Sequence, residues 1–289
     1  MKRIPDCLPQ TLFTMTNISA TLYFLRRDEL FKTVKPYSLD FDTEDVPRSN
    51  LKSHKVPDLL IKDMRTQNYN FDDNGIEMIK YEDRMKYEDW FDQKKVEDIY
   101  CEDLGRALIK RLGCSTVQVF DTLVRKRHAS FPDSYMDPTI QFQPAVRAHV
   151  DSTAGAIEAV IKTLHGDDAP KMLAKRWTYL NVWKPLKGPL RDWPLTVCDA
   201  KTVDPSDELV ASDTVFANVN RENMMVHYGE KQQWVYISNQ MPDELLLFRQ
   251  VDSDSSNPVP HTSFRLPLDE GEVPDCRESI EARVLVYFD

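Results

Sequence analysis

The sequence predicts a mainly β fold with flanking helices, built as a β-sandwich or jelly roll with an N-terminal extension. Short β-rich segments dominate from about residue 115 onward, and clusters of Pro, Asp, Ser and Asn separate them. Helical patches are few, as is typical of such architectures. The eight glycines are widely spaced, with Gly105 and Gly113 the closest pair, which excludes the standard glycine-rich loops of Rossmann, P-loop and nucleophile-elbow enzymes.

The N-terminal part, residues 1–115, begins with a region rich in Pro, Asp and Lys that contains a strand-like piece at 20–25. An acidic run follows at 81–105 and is typical of a solvated helical surface. Apolar residues at helical spacing then predict an amphipathic helix over about 95–112, namely Val96, Ile99, Leu104, Leu108 and Leu112. Gly113 stands where a C-cap glycine belongs.

The second part, residues 116–289, carries the strands of the predicted core. Alternating, aromatic or β-branched runs predict strands at Thr116–Phe120, Trp177–Trp183, Gln233–Ile237, Glu244–Phe248 and Arg283–Phe288. Two helical patches interrupt them, at 153–164 and about 168–175. Because no linker separates the two parts, residues 1–289 are predicted to form a single domain.

Composition limits the expected partners and compartment. The formal net charge is −10, and an acidic domain repels phosphate backbones, so we expect no nucleic-acid partner. The five cysteines are scattered and never spaced as C-x-x-C, which is typical of reduced intracellular thiols rather than a disulfide or zinc framework. No signal-peptide pattern or membrane-spanning apolar run occurs, so we expect a cytoplasmic protein with no membrane partner.

Two His-x-Asp triplets are candidates for chemistry, and their surroundings differ. His165-Gly166-Asp167 follows a helical stretch, where the glycine is explained as a C-cap and the histidine suits the helix dipole. His149-Val150-Asp151 follows a segment that can be extended, and on a strand its first and third side chains point to the same face. An imidazole and a carboxylate there are two thirds of a facial triad for Fe(II), and the alternative is a buried, hydrogen-bonded pair.

A third ligand would come from His227 or His261, which the residues alone do not separate strongly. Downstream of His261, the side chains of Arg277, Ser279 and Arg283 share strand parity and hence one face. A guanidinium and a hydroxyl there could hold a carboxylate, with the arginine donating two parallel hydrogen bonds. The alternative is that these side chains face solvent.

Four blocks of the sequence resemble a known family. They are VQVFDTLVR at Val117–Arg125, HVDSTAGA at His149–Ala156, NVWKPLKGPLRDWPLTVCD at Asn181–Asp199, and HTSF followed by RESIEARVLV within His261–Val286. Together with MPDELLLFRQVDSDSS at Met241–Ser256, they resemble the fungal and bacterial non-haem iron oxygenase-like family. This family includes the cephamycin methoxylation protein, gibberellin desaturase and the fumigatonoid endoperoxide synthase.

The resemblance implies a double-stranded β-helix, a jelly roll of the cupin-like type, with residues 116–289 as the β-helix core. It implies Fe(II), 2-oxoglutarate and dioxygen as cofactor and cosubstrates. Carried over by position, His149, Asp151 and His261 are the catalytic iron ligands. Arg277 with Ser279 is the first choice for the distal carboxylate of 2-oxoglutarate, and Arg283 is the second. Tyr179 and Asn181 are predicted to lie near the cosubstrate on strand parity alone.

The implied reaction is oxidation of an unactivated C–H bond in a small apolar natural product such as a terpenoid or meroterpenoid. Hydroxylation, desaturation and endoperoxide formation are all within this chemistry. Phe120, Trp183, Trp193 and the loop 185–194 are candidates for a pocket or lid, with an aromatic core as the alternative. The predicted partners are this small-molecule substrate and a second copy in a homodimer.

The chain departs from the family at two positions. Lys184 stands where arginine is common, so an ion pair there is expected to be altered, because lysine cannot form a bidentate fork. Gln233 stands where histidine often precedes the Trp of W-x-Y, and His227 is interpreted as a non-ligand. Two other functions stay open: a non-catalytic accessory or ligand-binding β-helix protein that partners an oxygenase, and a zinc-dependent hydrolase with the same ligands.

Overall fold

The computed structural model describes residues 17–132, 142–254 and 257–289, and two β-sheets pack against each other in this part of the chain. We call them the major and the minor sheet. The major sheet has nine strands in the order β1 (Ile18–Leu25), β3 (Ser53–Asp63), β11 (Trp234–Tyr236), β8 (Leu195–Cys198), β13 (His261–Ser263), β6 (His149–Val150), β10 (Asn220–Val226), β9 (Leu209–Val215) and β2 (Tyr37–Leu39). The minor sheet has five, in the order β4 (Ile76–Lys80), β12 (Glu244–Asp252), β7 (Arg176–Pro185), β14 (Glu278–Phe288) and β5 (Thr116–Lys126). This mainly β, jelly-roll-like architecture confirms the predicted fold class.

The two central strands of the minor sheet, β7 and β14, divide their side chains between two faces. On β14 the apolar residues Ile280, Ala282 and Val284 point outward and join a buried cluster under the helices. The alternate residues Ser279 and Glu281 are polar, yet both are buried. Since side chains alternate along a strand, these polar groups line the face toward the major sheet. The interior between the sheets therefore contains polar groups beside its apolar core.

The helices of the described residues are α1 (Phe71–Asn74), α2 (Gln93–Lys95), a π-helical turn (Val96–Cys101), α3 (Glu102–Leu112), α4 (Ala154–His165), α5 (Ala169–Leu173) and α6 (Pro205–Glu208), with short 3-10 turns at Glu29–Lys32, Met64–Thr66, Tyr87–Phe91, Gly166–Asp168 and Ala200–Thr202. The π-helical turn and α3 cover the outer face of the minor sheet, while α4 and α5 pack against a separate cluster on β7 and β14. Leu104 and Leu108 of α3 are fully buried against β7 and β14, so the predicted amphipathic helix is confirmed. No helix within the described residues is long and apolar enough to cross a membrane.

Both predicted glycine caps are confirmed. Gly113 ends α3 with a φ of 66°, and Gly166 ends α4 with a φ of 52°, backbone conformations that glycine adopts at little cost. His165 in the last turn of α4 lies with its Nε2 3.0 Å from the hydroxyl of Tyr287. The triplet His165-Gly166-Asp167 is thus a helix terminus.

The N-terminal part supplies edge strands to both sheets. Strands β1 and β3 extend one edge of the major sheet, β2 forms its other edge, and β4 forms an edge of the minor sheet. The strands from the second part of the chain lie at the centre of both sheets. The predicted division at residue 115 and the single domain over 1–289 stay predictions.

Candidate active site

The candidate site lies where β6 and β13 run side by side in the major sheet. His149 and His261 are directly opposite each other in the antiparallel register, and their ring centroids are 4.2 Å apart. Asp151 follows β6, while Val150 between the two site residues is fully buried and points the other way. One ligand atom from each of His149, Asp151 and His261 lies within 4.8 Å of the others. The structure therefore brings the predicted triplet and the predicted third ligand into one group.

The distances within this group suit a single metal ion. Asp151 Oδ1 lies 3.3 Å from His149 Nε2 and 3.5 Å from His261 Nε2. Nitrogen and oxygen ligands bind such ions at about 2.0–2.2 Å, so two neighbouring ligands of one ion lie about 3 Å apart. His149 Nδ1 donates to the carbonyl oxygen of Arg147 at 2.8 Å, which leaves Nε2 with a free lone pair facing the group.

The protonation states also suit metal binding. Burial, and next the neighbouring His149, lower the pKa of His261 to about 3, so this imidazole is neutral at physiological pH. For Asp151, burial alone would raise the pKa, but the charge of Arg283, with smaller contributions from the neighbouring His149 and His261, holds it well below its usual value. A neutral imidazole and an ionised carboxylate are the forms that bind metals.

The second carboxylate oxygen of Asp151 faces the minor sheet. Asn181 Nδ2 donates to Asp151 Oδ2 at 2.8 Å, the Tyr179 hydroxyl lies 3.4 Å from it, and Arg283 Nε also lies at 3.4 Å. Burial and the charge of Asp151 raise the pKa of Tyr179, which keeps this phenol a hydrogen-bond donor. Three of the five residues predicted to bind or adjoin the cosubstrate, namely Tyr179, Asn181 and Arg283, thus contact the carboxylate of Asp151.

Arg283 has three carboxylate neighbours. Besides Asp151, its guanidinium lies 2.9 Å from Asp121 Oδ2 on β5 and 3.4 Å from Glu281 Oε1 on its own strand. These anions raise the pKa of Arg283, although burial alone would lower it. The positive charge of Arg283 is therefore balanced within the protein.

Arg277, unlike Arg283, forms no ion pair among the described residues. Its side chain is only 2% exposed, and Nη1 donates to the Trp193 carbonyl at 2.7 Å and to Ser263 Oγ at 2.8 Å. Arg277 Nε and the neighbouring Ser279 Oγ have no hydrogen-bond partner among the described residues, and no carboxylate there forms an ion pair with this guanidinium. Burial, and next the nearby Arg125, lower the pKa of Arg277 to about 9. Within the described residues, Arg277 is therefore a buried cation with no carboxylate at ion-pair distance, and Asp192 and Glu281 raise its pKa only from farther away.

Sequence reasoning missed two residues of the site. Ser263 accepts a hydrogen bond from Arg277, and its position two residues after His261 on β13 was a usable signal, because both side chains share one face. Gln250 accepts the backbone N–H of Asp151 at 2.7 Å and donates to the Val259 carbonyl at 3.0 Å. A register shift in β12 between Arg249 and Val251 changes the alternation there, so strand parity could not have identified Gln250.

The other predicted residues lie elsewhere or play other parts. His227 is buried with Nδ1 2.9 Å from the Leu25 carbonyl and does not belong to the group of three. Gln233 accepts a hydrogen bond from Lys62 at 2.9 Å. Lys184 is buried on the outer face of the minor sheet and pairs with Asp83, so lysine keeps an ion pair at this position.

The three predicted aromatic residues differ in exposure. Trp183 is 1% exposed and its ring centroid lies 5.7 Å from the Arg277 guanidinium, so it belongs to the core. Phe120 is half-buried beside Tyr179, at a centroid distance of 5.6 Å. Trp193 is half-buried and packs edge-on against Phe131 at 4.7 Å. The latter two leave ring surface available to a ligand.

Comparison with known proteins identifies the family. The family described as "Oxidoreductase/YMDC permease-like domain" matches residues 22–287. A relative named alpha-ketoglutarate-dependent dioxygenase phiK, from Fungal sp. (strain ATCC 74256), is 31% identical over 83% of this chain and 85% of its own length. The chain belongs to the Fe(II)/2-oxoglutarate-dependent dioxygenases. A hydroxylase/desaturase of Hormonema carpetanum, efuI, is 29% identical over 84% of this chain and 88% of that one.

A solved structure of the iron and alpha-ketoglutarate-dependent endoperoxidase NvfI superposes with a TM-score of 0.81. It is 26% identical in sequence, and the match covers 94% of this chain and 98% of that one. The dioxygenase therefore shares both the sequence family and the fold of its relatives, and it uses Fe(II), 2-oxoglutarate and dioxygen. These findings favour the predicted oxygenase over the accessory protein and over the zinc hydrolase.

Proposed function

We propose that His149, Asp151 and His261 are the catalytic iron ligands of this dioxygenase. The observation that carries the proposal is their convergence, since one ligand atom from each lies within 4.8 Å of the other two. Two imidazoles and one carboxylate form the facial set that binds Fe(II) and leaves three coordination positions for other molecules. The tautomer of His149, which its hydrogen bond to the Arg147 carbonyl fixes, and the neutral state of His261 support the same assignment.

We propose that Arg277 and Ser279 bind the distal carboxylate of 2-oxoglutarate. Among the described residues, Arg277 has no carboxylate at ion-pair distance, and its Nε and Ser279 Oγ have no hydrogen-bond partner, so a carboxylate would satisfy both the charge and the hydrogen bonds. Arg277 also bonds to Ser263, two residues after His261, which connects this cation to the metal group. Arg283 is less suited, because its charge is already balanced by three carboxylates.

When bound, iron with 2-oxoglutarate and dioxygen supplies the oxidant for an unactivated C–H bond. The residues of this chain bind the metal, orient the cosubstrate and keep water away from the site. His149, Asp151 and His261 hold the metal, while Arg277 and Ser279 fix the far end of the cosubstrate. The apolar core between the sheets, which includes Trp183 and Phe248, keeps water away from one side of the site.

We propose a small apolar natural product, such as a terpenoid or meroterpenoid, as the substrate. Relatives named as a hydroxylase/desaturase and an endoperoxidase support oxidation of such a compound. Half-buried Phe120 and Trp193 offer apolar surface, and a cavity of about 210 Å³ lies between Lys187–Arg191 and Glu272–Glu278 beside Arg277. The homodimer, the absence of nucleic-acid and membrane partners, and the cytoplasmic location stay predictions from the sequence.

Anaerobic spectroscopy tests the proposed site. Addition of Fe(II) and 2-oxoglutarate without oxygen should produce the weak visible charge-transfer band of the ternary complex in the wild-type protein. His149→Ala and Asp151→Ala should abolish the band and, in air, the oxygen-dependent formation of succinate. His227→Ala removes a buried histidine outside the group and should retain both. Normal turnover in the His149 and Asp151 variants would refute the ligand assignment.

A further inference from the structure

The two oxygens of Asp151 face different partners. Oδ1 lies toward both imidazoles, at 3.3 Å from His149 Nε2 and 3.5 Å from His261 Nε2. Oδ2 lies away from them and accepts a hydrogen bond from Asn181 Nδ2 at 2.8 Å, with Arg283 Nε at 3.4 Å. The carboxylate is thus presented to the metal group through a single oxygen.

The groups that contact Oδ2 come from the opposite sheet: Asn181 and the Tyr179 hydroxyl donate hydrogen bonds, and Arg283 forms an ion pair. Asn181 on β7 and Arg283 on β14 are direct neighbours in the antiparallel register of the minor sheet, whereas Asp151 extends from β6 of the major sheet. Asn181 is fully buried, and its amide Nδ2 makes the shortest contact to Oδ2. Its position is set by a ten-residue strand that is buried along nine of its residues. A rigid strand therefore fixes the orientation of the carboxylate across the interior.

We propose that Asn181, assisted by Arg283, is a positioning residue that keeps Asp151 bound to iron through one oxygen. The inference rests on the proposed iron site. A bound Fe(II) would need coordination positions left open for 2-oxoglutarate and dioxygen beside its three protein ligands. If Asp151 turned and bound through both oxygens, it would occupy a position that dioxygen needs. The hydrogen bond from Asn181 to Oδ2 prevents this turn.

Metal affinity measures this role without relying on activity. Fe(II) is titrated anaerobically into wild-type protein, Asn181→Ala and Asn181→Leu, the second of which keeps side-chain bulk but lacks the donor. We expect the Kd for Fe(II) to rise about 10- to 100-fold in both, the usual loss when a partner of a metal ligand is removed. The charge-transfer band with 2-oxoglutarate should also shift in wavelength, because the ligand geometry changes. Arg283→Gln removes the charge of the ion pair with Asp151 but no hydrogen bond to Oδ2, and should give a smaller loss.

Asn74→Ala is the matched control. Asn74 is also buried and donates from Nδ2 to an aspartate, Asp199 Oδ2 at 3.0 Å, but it lies outside the metal group. This variant should keep the wild-type Kd and band position. Wild-type affinity and band in the Asn181 variants, or an equal loss in Asn74→Ala, would overturn the positioning role. Failure of the wild-type protein to bind Fe(II) would instead refute the proposed iron site.

Discussion

At the residue scale, Arg277 and Arg283 show how one strand face can hold two arginines in different environments. Arg283 lies on β14, and Arg277 directly precedes this strand, six residues before Arg283. Because side chains alternate along a strand, both project to the same face, toward the major sheet. Arg283 is surrounded by Asp121, Asp151 and Glu281. Among the described residues, the Arg277 guanidinium instead donates to a carbonyl and a hydroxyl and lies over the Trp183 ring, with no carboxylate at ion-pair distance. A buried cation without a counter-ion costs folding free energy, so its presence points to an anion that binds later.

This contrast predicts that Arg277→Gln separates stability from cosubstrate binding. Loss of a charge-assisted hydrogen-bond pair should weaken 2-oxoglutarate binding about 10- to 100-fold, since such bonds contribute roughly 1.5–3 kcal/mol. The free energy of unfolding should change by less than about 1 kcal/mol, because the variant also removes an unbalanced buried charge. Anaerobic titration of 2-oxoglutarate into the Fe(II) protein and urea unfolding measure the two quantities.

Arg249→Gln is the control for this prediction. Arg249 is also buried, with its guanidinium on backbone carbonyls such as that of Phe71, but it has no place in the metal group. It should lose stability and keep its affinity for 2-oxoglutarate. An unchanged Kd in Arg277→Gln would assign the cosubstrate carboxylate to another residue.

At the element scale, an ion pair ties the minor sheet to the segment before α2. Lys184 of β7 is 2% exposed, pairs with Asp83, and places its ammonium 4.6 Å from the ring centroid of Trp90. Burial lowers the pKa of Lys184, and the charge of Asp83 counteracts this effect. The sequence suggested an altered pair at this position, but only the fold shows that Asp83 reaches it.

The pair predicts unequal effects of removing its two members. Asp83→Ala leaves a buried ammonium without a counter-ion and should lower the free energy of unfolding by about 3–5 kcal/mol. Lys184→Met puts an apolar chain of similar length in the same apolar surroundings and should cost less than half of that. Asp98→Ala breaks an exposed pair with Lys94 and should cost under about 1 kcal/mol. Urea unfolding measures the free energy of unfolding of each variant. Equal losses of stability in Asp83→Ala and Lys184→Met would contradict the prediction.

At the scale of the whole molecule, the sequence predicted what depends on local pattern. Alternating, aromatic or β-branched runs indicated the strands that become β5, β7, β12 and β14, and helical spacing with a terminal glycine indicated α3 and α4. Strand β6 has two residues, too few for any periodicity, and the region before residue 81 was not predicted to supply strands to both sheets. Such features depend on pairing between distant segments.

The candidate site, too, could be predicted from the sequence only in part. His149, Asp151 and His261 could be named from their triplet and from the family resemblance, and the register of β6 and β13 brings them together. The resemblance made Arg277 the first choice for the cosubstrate carboxylate and Arg283 the second, but the residues alone could not decide between them, because the answer depends on which carboxylates lie nearby in space. Asp121 is 162 positions from Arg283 in the sequence, and no local pattern connects them.

Burial of the metal group predicts how the whole metal-free protein responds to acid. The pKa of His261 falls from 6.5 to about 3 on folding, so between these values the unfolded chain binds a proton that the folded chain does not. Stability should therefore fall as pH drops below 6.5, by at most about 1.4 kcal/mol per pH unit from this group. His261→Gln cannot take up the proton and should show a shallower slope between pH 4.5 and 7, measured by urea unfolding in the presence of a chelator. His128→Gln, an exposed histidine outside the site, should keep the wild-type slope. Equal slopes in His261→Gln and wild type would mean that this imidazole is not buried in its neutral form in solution.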